Sequence, residues 1–214
     1  MSTQQARLRD VFALAPVIPV ITIEDAGQAV PLARALVKGG LRVVEITLRT
    51  QAGMDAARAI LAEVPEAVVG IGTVLTPADY ERAAKLGAAF AISPGMSIEL
   101  LEAARAGALP FAPGIQTASD LMACVTRGFE LVKFFPAVPA GGLAAIDALA
   151  GPFPNVRFCP TGGINANNAA QWLAHKKVVA IGGSWVAPVA DIKAGNWALI
   201  EQRAHEAAAL RPAR

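Results

Sequence analysis

The chain has 214 residues, 54% of them hydrophobic and 17% charged, which excludes a disordered protein and supplies material for a sizeable core. Its 19 basic and 17 acidic residues leave a net charge of +2 with no Lys/Arg run, so the basic face of a nucleic-acid binder is excluded and Lys176-Lys177 reads as a solvated helix end. No stretch approaches the roughly 18 uninterrupted apolar residues of a membrane span, and no secretory signal is expected in the first residues.

Hydrophobic periodicity predicts a short helix near residues 4–14 and then a regular alternation of strands and helices. A strand at 17–22 precedes a helix at 25–38, a strand at 42–48 a helix at 52–63, and a strand at 67–73 a helix at 77–86. The pattern continues with strands at 88–93 and 110–114, followed by helices at 97–106 and 118–127. Strands at 130–135, 156–161 and 178–183 lead into helices at 142–149, 167–174 and 191–210. Thr76-Pro77 reads as an N-cap with proline at the first helical position. Gly39, Gly87, Gly107 and Gly128 each follow a helical pattern, where a left-handed cap favours glycine.

Eight strand-then-helix units repeating every 20–25 residues or so (about the length of one βα unit) indicate a parallel sheet. They predict an α/β fold of the (β/α)8 TIM-barrel type with a short N-terminal helix, as one domain over residues 1–214. An open doubly wound sheet is the alternative, although no Gly-x-Gly-x-x-Gly fingerprint follows the first strand. In a barrel the active site gathers at the C-terminal ends of the strands, with phosphate near the last two.

Lys133 stands out among the six lysines because it alone lies inside a strand, in Leu131-Val132-Lys133-Phe134-Phe135-Pro136. Alternation places Lys133 and Phe135 on one face and Val132 and Phe134 on the other, so Lys133 points into the barrel if the latter pack against helices. Desolvation disfavours an ammonium, and a free amine attacks a ketone to give a Schiff base that acts as an electron sink. The competing reading is a lysine snorkelling from an edge strand, which a closed barrel does not have. Glu45 shares a strand face with Thr47 and Arg49 in Val44-Glu45-Ile46-Thr47-Leu48-Arg49-Thr50. An inward carboxylate and guanidinium are costly unless used or paired. They form either a structural Glu45–Arg49 ion pair, or a proton-transfer group and an anchor for a substrate carboxylate.

Small polar residues end three other strands. Thr73 closes Gly70-Ile71-Gly72-Thr73, Thr161 opens Thr161-Gly162-Gly163, and Ser184 follows Gly182-Gly183. Each glycine pair alone is explained by a tight turn, but two pairs after the last two strands suit a phosphate cradle. His175 and His205 fall in helical segments and read as surface residues. No HxH, HExxH or Cys/His cluster suggests a metal, so no metal and no cofactor is expected. Cys124 and Cys159 have no CxxC spacing and read as inert core thiols in a reducing compartment, which points to the cytoplasm.

The chain resembles the 2-keto-3-deoxy-6-phosphogluconate aldolases, often bifunctional with 4-hydroxy-2-oxoglutarate aldolase. The markers are Val44-Glu45-Ile46-Thr47-Leu48-Arg49-Thr50, Gly72-Thr73-Val74-Leu75, Ser93-Pro94-Gly95, Lys133-Phe134-Phe135-Pro136-Ala137, Pro160-Thr161-Gly162-Gly163-Ile164 and Gly183-Ser184-Trp185. The resemblance runs from about Pro16 to Val186. It implies a metal-free class I aldolase on a (β/α)8 barrel, usually a homotrimer, acting on phosphorylated 2-keto-3-deoxy sugar acids and pyruvate. It also implies Lys133 as the Schiff-base residue and Glu45 as general acid/base. Arg49, Thr73 and Thr161 would surround the keto-acid end, Gly162, Gly163 and Ser184 would bind phosphate, and Phe135 would wall the lysine pocket. At Thr117-Ala118-Ser119-Asp120 the family commonly has Thr-Pro, a small residue and Glu, and a local effect is expected. Ile71 replaces a more usual alanine, read as a packing change. The related phosphogalactonate aldolases and a non-catalytic phosphate-binding barrel are the alternative functions.

Overall fold

A computed structural model describes residues 3–210 of the chain, so the outermost residues of the predicted 1–214 domain lie outside it. Helix α1 (Thr3–Phe12) leads to β1 (Val17–Ile21), a 3-10 turn (Ala26–Gln28), α2 (Ala29–Lys38), β2 (Val43–Thr47) and α3 (Gly53–Glu63). Next come β3 (Val68–Gly72), α4 (Pro77–Leu86), β4 (Phe90–Ile92), α5 (Ile98–Ala106), β5 (Phe111–Ala112), β6 (Gly114–Ile115) and α6 (Ala118–Val125). The chain closes with β7 (Leu131–Phe134), α7 (Gly142–Ala150), β8 (Arg157–Pro160), α8 (Ala169–Leu173), β9 (Ile181–Gly183), α9 (Val189–Lys193) and α10 (Trp197–Ala208).

The fold is α/β, and every strand pairing is parallel. The strands form a six-stranded sheet ordered β5-β4-β3-β2-β1-β9 and a three-stranded sheet ordered β6-β7-β8, not one uninterrupted eight-stranded ladder. Isolated bridges Phe158↔Val178 and Thr161↔Gly182 link β8 to the β9 segment. The strand expected at 110–114 divides at Pro113, and the reason is a change of partner. Ala91 on β4 and Ser93 just past it donate to Pro110 and Ala112, whereas Lys133 and Phe135 donate to Pro113 and Ile115. Pro113 has no N–H of its own to continue a ladder, but its carbonyl still accepts.

β1, β2, β4 and β7 are buried along their whole length. That is the state expected of parallel strands covered by helices on the crossover connections, and it explains their near-continuous Val/Ile/Phe content. Helix α1 is fixed beneath this assembly by two glutamines. Gln5, wholly buried, donates to the Phe111 carbonyl (2.9 Å) and accepts from the Glu130 and Leu131 amides (3.0 and 2.8 Å). Gln4 donates to Ala104 and Leu109 (2.8 and 2.7 Å). The Ala104 and Leu109 carbonyls also accept from the Tyr80 hydroxyl (3.4 and 2.9 Å), so α1 shares in satisfying a buried set of backbone groups.

Thr76 caps α4 as expected, in a reciprocal capping box with Asp79. Gly87 and Gly128 take the left-handed conformation (φ 86° and 87°). Gly39 and Gly107 do not, with φ of −73° and −84°. Close packing accounts for them instead: a Cβ on Gly39 would lie 2.5 Å from Ala204 Cβ, and one on Gly107 2.5 Å from the Tyr80 hydroxyl. The helix expected over 191–210 breaks at Gly195 (φ 68°), and the Asn196 side chain folds back to donate to Asp191 (2.8 Å). Cys124 and Cys159 are buried and unpaired, and burial pushes both thiols up to about 12. Among the described residues no helix is long and apolar enough to cross a membrane.

Candidate active site

The alternation of β7 turns Lys133 to the side opposite Val132 and Phe134. The alternation of β2 does the same for Glu45. The two strands are not neighbours, yet Lys133 Nζ donates to Glu45 Oε1 at 3.2 Å, with the side chains only 4% and 2% exposed. Lys133 Nζ also lies 5.4 Å from the centre of the Phe135 ring, a cation–π contact. A buried pair of this kind seldom adds stability over an apolar one, but losing one partner strands the other, at about 3–5 kcal/mol. Its presence in the interior is therefore better explained by chemistry than by folding.

Gly72, at the end of β3, makes room for the carboxylate: a Cβ there would stand 2.1 Å from Glu45 Oε1 and 2.6 Å from its Cγ. Sequence reasoning passed over Gly72, although a glycine inside a strand is the general sign of a close approach. Gly72→Ala is expected to push Glu45 off Lys133 and lower kcat by about 10²-fold while the protein still folds. Unchanged kcat in a steady-state assay would show that the carboxylate position does not matter.

The next residue, Thr73, has φ 60° and is the one non-glycine among the described residues with positive φ. A β-branched side chain in the left-handed region is strained by on the order of 1–3 kcal/mol. Such strain is characteristic of sites whose geometry is imposed by the surroundings. On the far side, Thr161 is 6% exposed, and its Oγ1 is enclosed with no partner better than the neighbouring Cys159 thiol. Gly182 makes room for that hydroxyl, since a Cβ there would lie 2.2 Å from it. The parallel Thr161↔Gly182 bridge brings the start of the Gly162-Gly163 segment alongside that of Gly183-Ser184. The carbonyls of Thr161 and Gly162 accept from the Ala137 and Val138 amides, and that of Gly163 from the Asn168 side chain.

The structure thus brings together Lys133, Glu45 and Phe135, and separately Thr161, Gly162, Gly163 and Ser184. Arg49, Thr73 and Ser184 stand at the C-terminal ends of β2, β3 and β9, with no hydrogen bond or ion pair to the Lys133–Glu45 pair among the described residues. The Glu45–Arg49 ion pair is not formed, because Glu45 is taken by Lys133. Arg49 lies past the strand end, exposed, and its Nη1 donates to Thr22 Oγ1 at 3.4 Å.

His175 departs from the surface reading. It sits in a bend after α8, 14% exposed, with Nε2 2.9 Å from Asp147 Oδ1 and Nδ1 accepting from the Lys177 amide. His205 is exposed on α10 as expected. The Thr117–Asp120 departure is absorbed locally. Asp120 Oδ2 accepts from the Gln116 and Thr117 amides at 2.9 Å and completes a capping box without proline. Ile71 is fully buried, in line with a packing role. Among the described residues no group of three or more His, Cys, Asp or Glu could hold a metal ion.

A buried lysine paired with a carboxylate inside a parallel α/β sheet is an arrangement suited to enzymes that work through a covalent lysine adduct. A family model for KDPG and KHG aldolase matches residues 8–203. The KHG/KDPG aldolase of Escherichia coli (strain K12) is 48% identical over 207 residues, 97% of each chain. The KDPG aldolase of Legionella pneumophila, solved with pyruvate captured as a covalent carbinolamine intermediate, superposes with a TM-score of 0.91 at 43% identity. The match covers 94% of this chain and 97% of that one. The Zymomonas mobilis ZM4 enzyme with 3-phosphoglycerate gives a TM-score of 0.91 at 42% identity, over 97% and 98% of the two chains. The chain belongs to the KDPG and KHG aldolase family, whose members are carbon–carbon lyases.

Proposed function

We propose that this protein cleaves 2-keto-3-deoxy-6-phosphogluconate to pyruvate and glyceraldehyde 3-phosphate, and that it also accepts 4-hydroxy-2-oxoglutarate. The single observation that carries this reading is the buried 3.2 Å contact between Lys133 Nζ and Glu45 Oε1. A proton passes from the lysine to the carboxylate or onward, and the amine attacks the C2 ketone to form a carbinolamine. Glu45 supplies the proton with which the hydroxyl leaves as water, giving the iminium. Glu45 then takes the proton of the C4 hydroxyl. The O–H electrons form the aldehyde carbonyl, and the C3–C4 pair moves into the C2–C3 bond to give a neutral enamine. Protonation at C3 and hydrolysis release pyruvate and restore the amine.

Arg49, Thr73 and Thr161 receive the keto-acid end, and Phe135 walls the lysine pocket. Support for Thr161 comes from its buried hydroxyl, which meets nothing better than the weakly bonding Cys159 thiol and is costly until a ligand oxygen or donor meets it. Gly162, Gly163 and Ser184 receive the phosphate, supported by their adjacency across the β8–β9 bridge. The same bridge, the change of partner at Pro113 and the meeting of β2 with β7 side chains support reading the two sheets as arcs of one closed (β/α)8 barrel. A single domain over 1–214 accords with the continuous core. A homotrimer follows the family resemblance and gives a use to the exposed Leu75, Ile98 and Met122. Cytoplasmic residence accords with two unpaired buried thiols.

The test is a pyruvate-release assay on both substrates, with the 6-phosphogalactonate epimer as competitor for the C4 configuration. Ser184→Ala is expected to raise KM for the phosphorylated acid about tenfold and leave 4-hydroxy-2-oxoglutarate within twofold. Equal losses on both would remove Ser184 from the phosphate site, and no release from any of the three acids would sink the proposed activity.

A further inference from the structure

We propose that Thr22 is a positioning residue that holds the Arg49 guanidinium in the orientation needed to receive the substrate carboxylate. The inference rests on the reading of Arg49 given above. The turn that carries Arg49 is stitched to neighbouring strand ends on both sides of that residue. Thr47 Oγ1 donates to the Ile21 carbonyl at 2.8 Å, Thr50 Oγ1 donates to the Ile23 carbonyl, and the Leu48 amide donates to Gly72 at 2.9 Å. The backbone at Arg49 is therefore fixed, while its long side chain is exposed and carries rotamer freedom that binding would have to remove. Thr22, half-buried just past the end of β1, is the residue that meets it: Arg49 Nη1 donates to Thr22 Oγ1 at 3.4 Å.

The direction of this chain is forced. A carbonyl can only accept, so the Thr47 hydroxyl proton is committed to Ile21. In the 3.3 Å contact between the two hydroxyls, Thr22 must then be the donor and Thr47 the acceptor. With its proton committed, Thr22 presents only lone pairs towards Arg49, whose guanidinium can only donate. The row Arg49, Thr22, Thr47, Ile21 is thus one polarised relay running from the guanidinium to a strand carbonyl, each bond reinforcing the next. One guanidinium N–H is directed to Thr22, and the other donors of the fork have no hydrogen bond among the described residues, which leaves them for a carboxylate. Valine at position 22 would keep the shape and the β-branched stiffness but offer no acceptor.

The experiment is a double-mutant cycle of Thr22→Val and Arg49→Ala, with Thr22→Ser as the conservative variant. It reads the pyruvate concentration that half-saturates borohydride trapping, together with KM and kcat for the phosphorylated keto acid and the melting temperature of each protein. Thr22→Val is expected to raise half-saturating pyruvate and KM about fivefold with kcat within twofold. Thr22→Ser should return most of the loss, and in the Arg49→Ala background the Thr22→Val effect should vanish. If Arg49→Ala raises KM and Thr22→Val leaves it unchanged, or adds its full effect to Arg49→Ala, the positioning role is overturned while the reading of Arg49 stands. A fall in kcat and melting temperature with KM unchanged would also overturn it, leaving Thr22 a structural residue. If Arg49→Ala itself leaves KM unchanged, the carboxylate reading of Arg49 falls and the role of Thr22 falls with it.

Discussion

Lys133→Ala should form no borohydride-stable adduct with pyruvate and should lose on the order of 10⁵-fold in kcat, the scale of losing a covalent nucleophile. The reason lies in the placement of this amine. It is 3% exposed, 3.2 Å from a carboxylate that can exchange its proton, and capped by the Phe135 ring. Among the described residues no other lysine is buried. Lys38 and Lys193, for example, are engaged in exposed surface pairs with Glu201 and Glu24. Removing the side chain also leaves Glu45 uncompensated and opens a cavity, so Lys133→Met, which keeps most of the packing and lacks the amine, is the companion variant. Intact-mass measurement and peptide mapping read the outcome. A wild-type adduct on Lys133 that disappears in both variants fits the proposed chemistry, and an adduct that persists on another lysine sinks it.

Glu45→Gln is expected to separate two roles that the geometry joins. The amide keeps the shape of the carboxylate beside Gly72 and Lys133 but cannot carry protons. Turnover should fall by about 10²–10⁴-fold, the usual contribution of a general acid/base. The rate of adduct formation with pyruvate should fall too, because dehydration of the carbinolamine needs a proton. The final extent of trapping should approach that of the wild type, because the amine is still present. Some loss of melting temperature is expected from breaking the buried pair. Turnover within a few-fold of wild type would assign proton transfer to another group. Trapping that never develops in a folded variant would make Glu45 necessary for the amine itself, not for its later steps.

Much of this was legible in the sequence because it depends on period and composition. Alternation along residues 42–48 and 130–135 assigned Glu45 and Lys133 to the faces opposite Val44 and Val132, and the structure places them so. The βα rhythm gave the parallel α/β order, and Thr76-Pro77 its helix start. Those features are local: side-chain direction follows from strand geometry, and capping from neighbours three residues apart.

What the sequence left open was decided by contacts between segments far apart in the chain. Glu45 could have paired with Arg49 four residues away. It pairs instead with Lys133, 88 residues on, because the turn after β2 carries Arg49 out of the interior and towards Thr22. The reasons for Gly39, Gly72 and Gly107 are likewise invisible in sequence, since each makes room for a distant segment: α10, the Glu45 carboxylate and the Tyr80 hydroxyl. The break at Pro113 follows from which strand lies on either side. The sequence by itself determined most of the secondary structure, its parallel order and the inward facing of Glu45 and Lys133, though not the outward course of Arg49. Tertiary structure alone decided which of those residues meet, because pairing and close packing depend on distances that no local pattern encodes.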